Sequence, residues 1–186
     1  MNKEAQKGPV IAVVGPSGVG KDSLMSALAV SGPQLRVVRR VITRAPEAGG
    51  EDYQAVSEAE FSALAESGIF SLHWQAHGLH YGIPRDIENL REGAAGVLVN
   101  LSRAVLLEAQ EKFGQFIVFW VTAHPQVLAE RLAARGRESA VEVRRRLARA
   151  EYPLPAGLRR VHVIDNSGAL SAAVYAALAV IQPERA

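Results

Sequence analysis

Apolar residues along the chain fall into short runs separated by polar stretches of helical period. Val10-Ile11-Ala12-Val13-Val14 is an unbroken apolar run, the mark of a strand buried on both faces. Gly96 to Asn100 and Phe116 to Val121 share that character, and Leu35 to Val38 and Val161 to Ile164 read as further strands. Between them the spacing predicts helices at Ser23 to Val30, Arg103 to Lys112, His124-Pro125 through Arg135, Ala140 to Glu151 and Leu170 to Ile181. Pro125 takes a first-turn position, where a missing N–H costs nothing. Gly136 interrupts the helix that Pro125 opens, and Pro153 and Pro155 stop the one after it. Strands alternating with helices predict an α/β fold, a parallel sheet covered by helices on both faces.

The segment from about 46 to 91 departs from that alternation. Ser57 and Glu60 form a capping box for a helix that Gly68 ends. Ile69 to Trp74 alternates as a strand, and Gly78 turns it into a second short strand near Tyr81. A small lobe on one domain spanning 1–186 is expected.

Chemistry enters directly after the first strand. Gly15-Pro16-Ser17-Gly18-Val19-Gly20-Lys21-Asp22-Ser23 fits G-x-x-x-x-G-K, a phosphate-binding loop, in its required strand–loop–helix setting. The glycines let backbone N–H groups converge on phosphate oxygens. The helix N-terminus adds partial positive charge, and Lys21 reaches the β- and γ-phosphates. ATP and magnesium are the implied ligands. Where the pattern calls for a metal-ligating Ser or Thr, the chain has Asp22, followed by Ser23. Two readings stand: Asp22 gives magnesium a carboxylate, directly or through water, or Asp22 caps the helix and Ser23 is the ligand.

Composition narrows the function classes. A net charge of +2 does not by itself imply a nucleic-acid partner. Arginines cluster at 36–44 and 131–149, which suits polyanionic small molecules. The absence of Cys excludes disulfides, thiolate metal sites and cysteine nucleophiles. His73, His77 and His80 lack regular ligand spacing and a Cys or carboxylate companion. Residues 1–8 lack a signal-peptide core, and the apolar helix at 172–181 is too short to span a bilayer, so a cytoplasmic protein without a membrane partner is expected. Monomer and homodimer both remain open.

Further motifs follow the loop in a fixed order: Thr43-Arg44-x-Pro46, Tyr53, His77-Gly78, Tyr81-Gly82, Arg135-Gly136 and Arg146-Leu147. With them the chain resembles the guanylate kinases over about 10–181. The resemblance implies a P-loop kinase with a substrate-binding lobe and a helical lid at about 131–150. It also implies that Lys21, Arg135 and Arg146 act in catalysis, that Arg44, Tyr53 and Tyr81 hold the acceptor's phosphate, and that Asn166 lies near the nucleotide. A simple β-turn explains Asp165-Asn166 equally well, and for Arg131, Arg137, Arg145 and Arg149 an exposed helical face explains the residues at least as well as a part in the lid's arginine supply.

The departures concern the base. Ile83 and Pro84 replace the Thr-Ser that follows Tyr-Gly, and Gln75 stands in place of a Glu. Neither Ile nor Pro offers a side-chain hydrogen bond, and a neutral amide does not accept from two base N–H groups as a carboxylate does. Glu47 replaces one phosphate-binding Arg, while Arg40 replaces a Ser. In this mixture, and in Gly20-Lys-Asp-Ser23 and Val97-Leu-Val-Asn-Leu-Ser-Arg103, the chain is similar to the ribose 1,5-bisphosphate phosphokinases of phosphonate utilisation. That likeness implies transfer of the ATP γ-phosphoryl group to ribose 1,5-bisphosphate, with Arg40 among the substrate-binding residues. A guanylate kinase with an altered base pocket and a non-catalytic binding module are the competing expectations.

Overall fold

A computed structural model describes residues 7–46, 51–134 and 153–181. Along the chain come β1 (Val10–Val14), α1 (Lys21–Ser31), β2 (Leu35–Val37), β3 (Arg40–Ile42), β4 (Tyr53–Ala55), α2 (Glu58–Glu66) and β5 (Phe70–Ala76). There follow β6 (Leu79–Pro84), α3 (Ile87–Arg91), β7 (Gly96–Asn100), α4 (Leu106–Phe113), β8 (Phe116–Thr122), α5 (Pro125–Ala134), β9 (Val161–Asp165) and α6 (Leu170–Ile181). The expected second Arg-rich helix at Ala140 to Glu151, with Arg146, and Arg135 ahead of it lie outside the described residues.

The main sheet has five parallel strands in the order β2-β7-β1-β8-β9. Its centre is β1, whose Val10 pairs with Val97 on one side and Phe116 on the other. Because strand side chains alternate, Ile11 and Val13 face α1, α5 and α6 through Leu24, Leu28, Leu128 and Ala173. Val10, Ala12 and Val14 face the opposite layer with Val99, Leu106, Phe113 and Val118. Both faces are covered, so each β1 position is apolar and buried. Burying each large aliphatic side chain contributes about 1.5–3 kcal/mol before conformational entropy is set against it.

The second sheet has the order β4-β3-β6-β5. It takes in Arg40–Ile42, ahead of the segment 46–91, because the backbone of β3 pairs with β6 and β4. His77 and Gly78, at φ 54° and 74°, make the tight turn between β5 and β6. The capping box is present: Glu60 N–H donates to the Ser57 hydroxyl, and the Glu60 carboxylate accepts from the Ser57 N–H. The inner face of this sheet is continuous with the main core through Leu72, Trp74 and Ile83. Its outer face packs Val41 and Phe70 on Phe61 of α2.

A buried arginine ties the chain's beginning to this core. Arg91 donates to the carbonyls of Gly8 at 2.9 Å and Phe113 at 3.2 Å, and to Glu88 at 3.0 Å. Replacing it with Ala strands those carbonyls. Arg91→Ala is expected to lower unfolding free energy by about 2–3 kcal/mol, measured by urea denaturation.

Candidate functional site

In a parallel sheet every strand ends on the same edge, where ligands bind. β1 runs there into the phosphate loop, and Asn100 at the end of β7 lies in register with Val13. Thr122 and Asp165 end β8 and β9 alongside.

The loop takes its shape from glycine. Gly18 and Gly20 have φ of 87° and 93°, in the left-handed region. A Cβ on Gly15 would stand 2.4 Å from the Val121 carbonyl oxygen, and one on Gly20 2.6 Å from Nδ2 of Asn166. Lys21 Nζ donates to the carbonyls of Gly15 at 2.9 Å and Pro16 at 3.1 Å, which folds its chain back over the loop. Val19's carbonyl accepts from Asn166 Nδ2 at 2.8 Å and from Arg131 at 3.3 Å. Gly18, Gly20, Ser23, Arg131, Asn166 and Leu170 help line a cavity of about 350 Å³.

Asn166 is buried, and its Oδ1 has no hydrogen-bond partner among the described residues. A buried acceptor left open beside a cavity suits a ligand N–H or O–H. Its place is fixed from both sides: the Asn166 N–H donates to Thr122, while Ser167 donates to the Asp165 carboxylate through its backbone N–H at 2.9 Å and through its hydroxyl. Those two bonds hold the Asp165 carboxyl below its usual range.

Asp22 and Ser23 part company. Ser23 lines the cavity, whereas the Asp22 carboxylate lies 3.5 Å from Nδ2 of Asn100. The N-cap of α1 is Gly20, so Asp22 belongs to the first turn and does not cap the helix. The same Asn100 Nδ2 is 3.5 Å from Oε2 of Glu51. Glu51 in turn grips Arg40 by both oxygens, Nε at 2.7 Å and Nη2. Two arginines of the lobe lie against aromatic rings. The Arg40 guanidinium lies 5.2 Å from the centre of the Tyr81 ring, which stacks on Trp74 at 5.3 Å. Arg44 lies 4.4 Å over the Tyr53 ring, and its Nε donates to the Tyr53 hydroxyl at 3.1 Å.

Sequence reasoning named Arg40, Arg44, Tyr53 and Tyr81, and the structure places them in one lobe. It did not single out Glu51, an isolated acid in a turn-rich loop with no local signal. Arg131, for which an exposed helical face and a part in the arginine supply were both open, donates to the phosphate loop. No group of His, Asp and Glu among the described residues could hold a metal by itself.

A family model described as an AAA domain matches residues 11–152. A curated protein of Ruegeria sp. (strain TM1040), "Ribose 1,5-bisphosphate phosphokinase PhnN", is 76% identical over 97% of this chain and 95% of its own length. One of the same name from Brucella melitensis is 45% identical over 96% of this chain and 94% of its own. The chain belongs to this phosphokinase family. Among solved structures, guanylate kinase from Anaplasma phagocytophilum superposes with a TM-score of 0.68 at 18% identity, covering 97% of this chain and 87% of that one. A gluconokinase from Sinorhizobium meliloti 1021 gives 0.55 at 21%, covering 95% and 93%. The first of these likenesses, with the family model, shows the guanylate-kinase-like P-loop fold. The family fits the lobe's chemistry: Ile83, in a position that guanylate kinases use for the base, is wholly buried in the shared core, and Gln75 is exposed.

The Asp165 turn gives a pH prediction. A carboxyl with a lowered folded pKa adds stability above its unfolded value, about 3.9, and loses it as pH falls through the folded value. The stability gap between wild type and Asp165→Ala, followed by denaturant unfolding, is expected to be constant above about pH 5 and to close in stronger acid.

Proposed function

We propose that the protein is an ATP-dependent phosphotransferase that moves the γ-phosphoryl group of ATP onto the 1-phosphate of ribose 1,5-bisphosphate, giving 5-phosphoribosyl 1-diphosphate and ADP. The observation that carries this is identity of 76% to a phosphokinase of that name across 97% of the chain. The cleft supports it, with a phosphate loop on one side and Arg40, Arg44, Tyr53 and Tyr81 on the other.

The reaction makes one bond and breaks one. An oxygen of the 1-phosphate attacks the γ-phosphorus, and the bridging oxygen leaves with ADP. That nucleophile is already anionic near neutral pH, since the second pKa of a phosphate ester is about 6, so no general base is required. The demand on the protein is to bring two polyanions together and spread the charge that develops. Lys21, now on the loop carbonyls, finds better acceptors in phosphate oxygens. Arg44 and Tyr53 hold one acceptor phosphate as a unit, and the Arg40–Tyr81 stack faces the other. Arg131, with the lid residues Arg135 and Arg146, supplies further positive charge from the nucleotide side. The open Asn166 oxygen and the glycine cradle fit a nucleotide.

Asp22 and Ser23 fit magnesium as oxygen donors. When bound, the metal neutralises charge on the β- and γ-phosphates. Asp22 is the carboxylate nearest the loop's lysine in sequence, and Asn100 orients it across the end of β7. Among the described residues no helix is long and apolar enough to cross a membrane, and we assign the enzyme to the cytoplasm.

The test is ADP release with magnesium-ATP and a panel of acceptors. Ribose 1,5-bisphosphate is expected to turn over and GMP hardly at all; efficient GMP phosphorylation contradicts the assignment. In the same assay Lys21→Ala is expected to reduce kcat about a hundredfold or more while circular dichroism stays unchanged. For the metal, Asp22→Ser is expected to raise the magnesium concentration at half-saturation about tenfold, in turnover and in calorimetric titration of the ADP complex. An unchanged value assigns the ligand role to Ser23.

A further inference from the structure

Arg40 is nearly buried, with a side chain 8% exposed, and the Glu51 side chain that grips it is 12% exposed. A guanidinium fork matches a carboxylate and a phosphate with the same two parallel hydrogen bonds. The two anions are chemical alternatives for one donor pair. Packing gives no reason for this pair, because a buried ion pair is no more stable than apolar side chains of equal volume. Its position does give one. Arg40 stacks on Tyr81 in the lobe, and a single amide, Asn100, separates Glu51 from Asp22 of the phosphate loop.

We propose that Glu51 is a specificity residue, an internal competitor that makes anions displace a carboxylate before they reach Arg40. The proposal rests on the lobe being the acceptor site. A phosphate on its own gains the Arg40 fork only by giving up the Arg40–Glu51 pair, so the exchange is nearly balanced. A sugar carrying a second phosphate, held at Arg44 and Tyr53, delivers its other phosphate to Arg40 intramolecularly, at high effective concentration. The displaced carboxylate keeps Asn100 as a donor. Glu51 thereby makes the site respond to bisphosphates in preference to monophosphates and free phosphate.

Inorganic phosphate binding, measured by calorimetry without sugar or ATP, tests this directly. Glu51→Gln leaves Arg40 with a neutral partner and is expected to bind phosphate at least about tenfold more tightly than wild type. Adding Arg40→Met to that variant is expected to erase the gain. The preference for ribose 1,5-bisphosphate over ribose 5-phosphate, as a ratio of kcat/KM or of inhibition constants, is expected to fall by a similar factor. Phosphate affinity within twofold of wild type in a folded Glu51→Gln protein overturns the proposal. The wild type supplies a second measurement that needs no folded variant. Saturation with ribose 1,5-bisphosphate is expected to move the Glu51 side-chain carboxyl carbon resonance, and an unmoved signal overturns the proposal. Wild-type turnover of that sugar reports separately on the reaction, so failure of one reading is distinguishable from failure of the other.

Discussion

The carbonyl of Val19 is the point on which the nucleotide half of the cleft depends. It accepts from Asn166, which follows β9, and from Arg131 on α5. One loop oxygen thus joins three stretches of chain that are far apart in sequence. The phosphate loop has few side chains of its own with which to hold a shape, so its geometry comes from what presses on it. Val121's carbonyl occupies the space of a Cβ at Gly15, and the Asn166 amide occupies that space at Gly20. Glycine here answers a packing constraint as much as a torsional one. The same buried side chain that shapes the loop keeps an acceptor without a hydrogen-bond partner among the described residues, in a residue that helps line the cavity.

Asn166 is held there by the sheet. Because β1, β7, β8 and β9 are parallel, their carboxyl ends lie on one edge. A side chain just past β9 thereby reaches a loop just past β1, although β8 lies between them. The main core, apolar on both faces of β1, fixes that edge. Leu72, Trp74 and Ile83 extend the same core into the lobe, which fixes the distance across the cleft. Burial of Ile83 has a functional side: a residue wholly buried in the shared core has nothing to offer a purine edge.

Much of this was legible locally. The apolar run at Val10–Val14, the capping box at Ser57 and the final helix Leu170–Ile181 are written in neighbouring residues, and the structure places each where its pattern does. β3 was not legible, because Arg40-Val41-Ile42 is short and lies between arginines that read as a loop. Its strand character comes from pairing with β6 and β4. The 3-10 turn at Arg103–Val105, which delays α4 behind the expected start, is also a matter of context. The partners of Arg131 and Glu51 were illegible for a stronger reason. They lie 112 and 11 residues away, and no periodicity relates them.

Charge is the remaining difficulty in a cleft that must gather polyanions. Arginines left bare in a half-buried lobe would bind any anion and would repel one another. The lobe instead sets that charge against a carboxylate at Arg40 and an aromatic ring at Arg44. Arg44 lies over the Tyr53 ring and donates to its hydroxyl, both neutral groups. Arg40 is tied to a full carboxylate, which a phosphate outbids only when something else holds it in place. Two cations four residues apart thus sit in different surroundings. On the proposed assignment of the lobe to the acceptor, one phosphate lies at Arg44 and Tyr53 and a second displaces Glu51 from Arg40. Under that proposal the lobe selects its ligand by the number of phosphates the sugar carries.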